Sequence, residues 1–414
     1  MRRWFRSAPK RKIAALLLIF CLLPSLVPAQ AASKPPQVRA ASYIVMEFQS
    51  GRVLAEKEAD VPRPPASMTK MMVEYIVMEK VRRGELHWED QVTVSKHAAG
   101  VNEAQVNLVQ GEKRTVLELF TAMSVYSAND ATVALAEKIG GSEEAFVELM
   151  NRKARELGMT RTHYHNATGL DNHLYDDPPN VPGSHVMSAR DCALLARRLL
   201  KDYPEVTKII SQPRIVFRKG ESRQQRLTNW NLMLPGLKFY YPGVDGLKTG
   251  HTRNAGYCFT GTAVKNGMRL ITVVMDTPAE STRFTATKQL LDYGFGQFTL
   301  KTILAGGQVI PGYERVPVTD GAVPEIPLVT DRPVVFPVEK GQEGRFDLQV
   351  HYIKKLEAPL RAGEVVGTLR ILYDGKEMKN PDPIPVKVLQ DVEKASWWEL
   401  FFRKIGEEVS GLFS

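Results

Sequence analysis

Two hydrophobic periods alternate along the chain. From Ala41, ASYIVMEFQSGRVLAEK switches between apolar and polar positions across a Gln49–Ser50–Gly51 turn, the pattern of a β-hairpin. The run SMTKMMVEYIVMEKV follows PRPPA and predicts a buried, methionine-rich helix opening at Ser67. From Val116 to about Ile210 apolar residues recur at helical spacing, in VLELFTAMSVY, ATVALAEKIGG and ALLARRLL, with Gly, Pro and Asn between them. Strand character returns in PRIVFRK and in AGYCFTGTAVKNGMRLITVVMD, where Asn266–Gly267 marks a tight hairpin turn. STRFTATKQLLDYGF then reads as a closing helix. Strands at both ends of a helical middle predict one α+β domain over residues 40–295, its sheet built from both ends of the segment.

Beyond Thr299 the pattern becomes short β-rich runs broken by Gly and Pro, among them RPVVFPV, FDLQVHYI and EVVGTLRILYDG, which predict a small all-β sandwich over 299–389. In the last stretch, 393–414, a helical wheel puts Trp398, Phe402, Ile405, Val409 and Leu412 on one stripe with Trp397, Phe401 and Phe413 beside it. Glu399, Lys404, Glu407 and Glu408 lie away from that stripe. An amphipathic helix with paired tryptophans suits a membrane interface, and its charges are too frequent for a span. A terminal helix packed on the β domain is the alternative.

Composition changes the picture at the N-terminus. A basic head, an apolar run from Ile13 to Val27 and small residues at Ala29 and Ala31 predict a signal peptide over 1–31, hence an exported protein at the outer face of the cytoplasmic membrane. Its six Lys and Arg residues have no acidic partners, so removing them takes the formal charge from +9 to +3 and weakens any nucleic-acid reading of the high pI. Cys21 would leave with it, and Cys192 and Cys258 sit in apolar elements, which predicts buried thiols. With 414 residues, 43% apolar and 24% charged, the chain can bury a full core.

The candidate chemistry lies in three short motifs. Ser67 and Lys70 stand three residues apart, so a helical start would face a hydroxyl nucleophile towards an amine base. Ser127 and Asn129 lie in YSANDA, between two predicted helices; Lys248, Thr249 and Gly250 lie in GVDGLKTGHT, at the edge of a strand. Each motif alone is a common helix cap or strand end. In the order S-x-x-K, S-x-N, K-T-G, behind an export signal, they resemble the penicillin-recognising serine acyl-transferases, with S-A-N in place of S-D-N. PPASMTKMM, SANDA, DGLKTGHT, MSARDCALLARRLL and QLLDYGF, with the β domain and tail, are similar to the low-molecular-mass penicillin-binding proteins that act as D-alanyl-D-alanine carboxypeptidases.

That resemblance implies a β-lactamase-like catalytic domain, no cofactor and no metal. It implies Ser67 as nucleophile, Lys70 as base, and Ser127 with Lys248 as a proton relay to the departing D-alanine. Asn129 would hold the stem peptide's amide, Thr249 and Arg283 its terminal carboxylate, and Ser67 and His251 the oxyanion through their backbone N–H groups. Gly250 completes the motif. The implied partners are peptidoglycan stem peptides ending in D-Ala-D-Ala, β-lactams as covalent inhibitors, and the membrane surface through the last helix. His163, His165 and His173 could suggest a metal, but the resemblance places NATGLDN in a cleft-lining loop, and Asp171, Asp176 and Asp177 read as turn residues. A β-lactamase-type hydrolase, a DD-endopeptidase and a non-catalytic wall-binding scaffold are the alternatives.

Overall fold

The computed structural model describes residues 34–341, 344–378 and 383–411, the last six without their side chains. The expected leader, Cys21, Leu412 and Phe413 lie outside the described residues, as do the side chains of Glu407, Glu408 and Val409.

Strands β1 (Ser42–Glu47) and β2 (Val53–Lys57) form the first hairpin. They join β3 (Val244–Thr252), β4 (Gly256–Lys265) and β5 (Met268–Thr277) in an antiparallel sheet of order β2-β1-β5-β4-β3. Strands from both ends of the domain thus meet at β1–β5, Ser42 opposite Met275. The two-residue period sorts the sheet's side chains between two cores. Ile44, Met46, Ile271 and Val273 join a large helical core, while Tyr43, Val45, Leu270 and Val274 join a second core under α6 (Glu280–Gln297).

Five longer helices carry the first core: α1 (Lys70–Arg82), α2 (Val116–Tyr126), α3 (Asn129–Gly140), α4 (Glu143–Glu156) and α5 (Ala189–Asp202). Helix α1 is buried on nearly every side from Lys70 to Glu79, which explains why its apolar residues are not confined to one face. The helical period does not continue through residues 159–188; that stretch is a loop with one short 3-10 turn, Asn172–Leu174, because Gly, Pro, Asn and Asp crowd it. Cys192 and Cys258 are buried free thiols.

Helix α6 runs directly into β6 (Phe298–Leu304), which pairs with β8 (Val334–Glu339). Strands β7 (Leu328–Thr330), β9 (Phe346–Tyr352), β10 (Val365–Tyr373) and β11 (Ile384–Val388) form a second antiparallel sheet of order β7-β11-β10-β9 over a third core. The fold is therefore a mixed α+β domain followed by a β domain and a last helix, α7 (Trp397–Gly411). Among the described residues no helix is long and apolar enough to cross a membrane.

Candidate active site

Ser67 does not open an α-helix. It sits in a 3-10 turn, Ala66–Thr69, and α1 begins at Lys70. Ala66 has φ of 49°, a left-handed conformation that no α-helical start contains. The tighter turn, three residues per revolution, stacks Ser67 directly over Lys70. Two glycines let other segments close on this turn. A Cβ on Gly250 would stand 2.7 Å from Pro65 O, and one on Gly169 would stand 1.9 Å from Ala66 O. The K-T-G strand and the 166–170 loop can approach the Ser67 turn only as glycine backbone.

Lys70 is wholly buried, and its Nζ meets Ser67 Oγ at 2.9 Å, Asn129 Oδ1 at 2.7 Å and Thr168 O at 2.7 Å. Asn129 Nδ2 donates to Asn102 O, which can only accept, so the amide orientation is fixed with Oδ1 towards Lys70. A neutral amine has two N–H groups and one lone pair. Asn129 Oδ1 and Thr168 O take the two donors, which leaves the lone pair for the Ser67 hydroxyl proton. Burial, and then the cation of Lys248, hold the Lys70 amine well below its ordinary value, favouring that neutral form. Both polar atoms of Asn129 are thus engaged within the protein, although the residue borders the cavity.

Ser127 terminates α2 with φ of 66°, and Trp230 Nε1 donates to Tyr126 O just before it at 2.8 Å. Lys248 Nζ lies 2.9 Å from Ser127 Oγ and 3.1 Å from Thr249 O. Ser67, Ser127, Asn129, Thr249, His251 and Arg283 border one cavity of about 360 Å³, with Gly250 on its floor. Arg283 is 3% exposed, so it is no surface arginine; its Nη1 donates to Gly250 O at 3.3 Å and its guanidinium lies over the rings of Tyr257 and Phe284. His251 stacks on Tyr257, its partner across β3–β4, with ring centroids 4.1 Å apart.

Sequence reasoning missed Glu74, Thr168, Trp230 and Tyr257. Glu74 carried a signal, a lone acid one turn beyond Lys70 in an apolar run; the others reach the site through tertiary pairing. The three histidines do not converge. His163 and His165 donate through Nδ1 to Ser184 O and Gly183 O, and His173 lies in the exposed 3-10 turn. Among the described residues no group of three or more His, Cys, Asp or Glu side chains gathers as a metal site. His185 does reach the Ala66–Thr69 turn: its Nδ1 accepts from His165 N, leaving Nε2–H to donate to Thr69 Oγ1 at 2.7 Å. Burial pushes that imidazole down to about 3, so it stays neutral there.

A hydroxyl held against a buried amine, with a second Ser–Lys pair across the cavity, is the arrangement of a serine hydrolase working by acyl transfer. The chain belongs to the D-alanyl-D-alanine carboxypeptidase family, whose model matches residues 29–279, and the C-terminal domain model of penicillin-binding protein 5 matches residues 298–394. It is thus a hydrolase of penicillin-binding type, a D-alanyl-D-alanine carboxypeptidase. It is 33% identical to DacF of Bacillus subtilis over 404 residues, covering 96% of this chain and 98% of that protein. It is 33% identical to DacA of Escherichia coli over 387 residues, covering 91% and 89%. Among solved structures, penicillin-binding protein 5 of Haemophilus influenzae matches with TM-score 0.73 at 32% identity, over 87% of this chain and all of that one. Penicillin-binding protein D2 of Listeria monocytogenes, solved in its ampicillin-bound form, matches with TM-score 0.55 at 33% identity over 63% of this chain and all of that one.

Proposed function

We propose that Ser67 is the nucleophile that removes the terminal D-alanine from peptidoglycan stem peptides, with Lys70 as its base. The observation that carries this reading is the Lys70 contact set, two obligatory acceptors and one hydroxyl. As Ser67 Oγ attacks the carbonyl between the two D-alanines, its proton passes to Lys70 and the oxyanion is received by the N–H groups of Ser67 and His251; β3 is an edge strand, with one side open to the cavity. The C–N bond then breaks, and the leaving amine takes a proton from Lys248 through Ser127. Thr249 and Arg283 hold the departing carboxylate. Water attacks the acyl ester, its proton passing through Ser127 to the now neutral Lys248, while Lys70 returns its proton to Ser67 Oγ as the ester bond breaks.

β-Lactams would acylate the same hydroxyl. Among the described residues no carboxylate hydrogen-bonds Ser67 or Lys70, which supports a long-lived penicilloyl ester over rapid antibiotic hydrolysis. We place the enzyme outside the cytoplasm, released from a leader over 1–31 and held at the membrane surface by α7. Exposed Trp397, Trp398, Phe401, Phe402 and Ile405 support that attachment, while Arg403 Nη1 donates to Gly321 O on the β domain.

The test is mass spectrometry after brief exposure to a penicillin, with D-alanine release assayed in parallel. A lasting adduct on Ser67 and release lost in Ser67→Ala are expected. Antibiotic turnover without D-alanine would turn the reading to a β-lactamase, and neither event to a scaffold.

A further inference from the structure

Glu74 is unused by the reaction as drawn, yet it is the acid nearest in sequence to the base, four residues beyond Lys70 and on the same face of α1. It is 1% exposed, and both carboxyl oxygens are buried with no hydrogen-bond partner. Ser124 on α2 faces it without closing a hydrogen bond of normal geometry. Burial pushes its carboxyl up to about 7, and the charges of Lys248, on β3, and Lys70 act against that to favour the carboxylate. Native proteins rarely leave a carboxyl group this deep and this unmatched.

We propose that Glu74 is a positioning residue of the reaction: the buried counter-carboxylate of the two-lysine site, which keeps a proton on Lys248 and so keeps Lys70 free to act as base. This inference rests on the roles given to the two lysines above.

Charge counting supports it. Two ammonium groups with one carboxylate would bury a net positive charge; one ammonium, one amine and one carboxylate bury none. Hydrogen bonding decides which lysine is neutral, because two obligatory acceptors and a hydroxyl suit Lys70 as an amine. Glu74 is the strongest charge raising Lys248, which burial and the Arg283 cation otherwise depress. Lys70 feels Lys248 more than it feels Glu74, Glu143 of α4 or Asp130 of α3. Protonated Lys248, stabilised by Glu74, therefore adds to burial in holding Lys70 neutral. It is also the proton the leaving amine needs.

The experiment is the pH profile of kcat/KM for D-alanine release by the purified chain and by Glu74→Gln, with penicilloyl adduct formation on Ser67 measured in both. Losing the carboxylate should move the descending limb, where Lys248 gives up its proton, about one pH unit or more to the acid side, on the order of a tenfold loss on the alkaline flank. Glu74→Met, an apolar replacement suited to neighbours such as Met71 and Met72, carries the same test if the glutamine variant folds poorly. Glu74→Asp should recover part of the shift, since it restores charge and not shape. A uniform fall in rate with both limbs in place would make Glu74 merely structural and overturn the inference. No adduct on Ser67 in the unmutated chain would instead overturn the reading beneath it.

Discussion

Arg283 is held almost out of water, with its Nε buried and without an acceptor. A substrate carboxylate entering the cavity brings acceptors to a guanidinium that already pays for desolvation. Hydrogen bonds to charged groups contribute about 1.5–3 kcal/mol, so Arg283→Ala should lower kcat/KM for peptides ending in D-Ala-D-Ala roughly 10- to 150-fold. The loss should fall mainly in KM and should vanish for a peptide whose terminal carboxyl is amidated, as D-alanine or D-alaninamide release would read directly. His97 acts at the same scale, by way of the surroundings of Lys70. Its Nε2 meets Glu143 Oε2 at 2.7 Å, and Glu143 in turn receives Ala167 N and Tyr175 OH, which brace the loop presenting Thr168 O to Lys70. The hydrogen bond to Glu143 raises the His97 pKa above its ordinary value. A raised folded value means that protonated His97 stabilises the fold fully below about 6.5 and loses this as pH rises through the folded value. Melting temperatures of the unmutated chain and His97→Gln should differ most in mild acid and converge in alkali.

Whole elements aim these side chains, and α2 shows how. Thr115 and Glu118 form a reciprocal capping box at its start, and Ser127 ends it in a left-handed conformation that turns its hydroxyl towards Lys248. Thr115→Ala should cost about 1 kcal/mol of stability, measured by urea denaturation, and leave acylation of the folded fraction intact. Much of this scale was legible from periodicity. The strand character of ASYIVMEFQSGRVLAEK and GMRLITVVMD foretold a sheet built from both ends of the 40–295 segment, and the three motifs picked out residues that border one cavity. Periodicity failed where local chemistry departs from a regular helix or strand. It drew Ser67 into α1 because a 3-10 turn and an α-helical turn share the i,i+3 face, and it could not foresee the left-handed Ala66 that opens the 3-10 turn. Thr168 was invisible for another reason: it contributes a backbone carbonyl, which carries no residue signature, and reaches Lys70 only once the 166–170 loop folds under Ala66.

At the scale of the whole molecule, the two domains are joined by more than the run of α6 into β6. Arg52, in the turn after β1, reaches across to the β domain, where its guanidinium lies 5.6, 5.0 and 5.4 Å from the rings of Phe298, Phe336 and Tyr373 and its Nη1 donates to Pro337 O. Lys340 closes the other side, its Nζ and backbone N donating to Phe295 O and Gln297 O at the end of α6. A cation among three rings, desolvated on most sides, contributes about 2 kcal/mol, enough to couple two cores that would otherwise melt independently. The cavity lies on the β3 edge and, among the described residues, takes no side chain from the β domain, so the joint fixes the attitude of the catalytic domain and does not build its site. Arg52→Ala should therefore leave kcat/KM on a short soluble peptide within about twofold, while calorimetry resolves the single unfolding transition into two, the β domain melting first. A variant that still melts as one unit would place the coupling in the α6–β6 continuity alone. Loss of soluble-peptide activity would mean that the β domain supports the site itself.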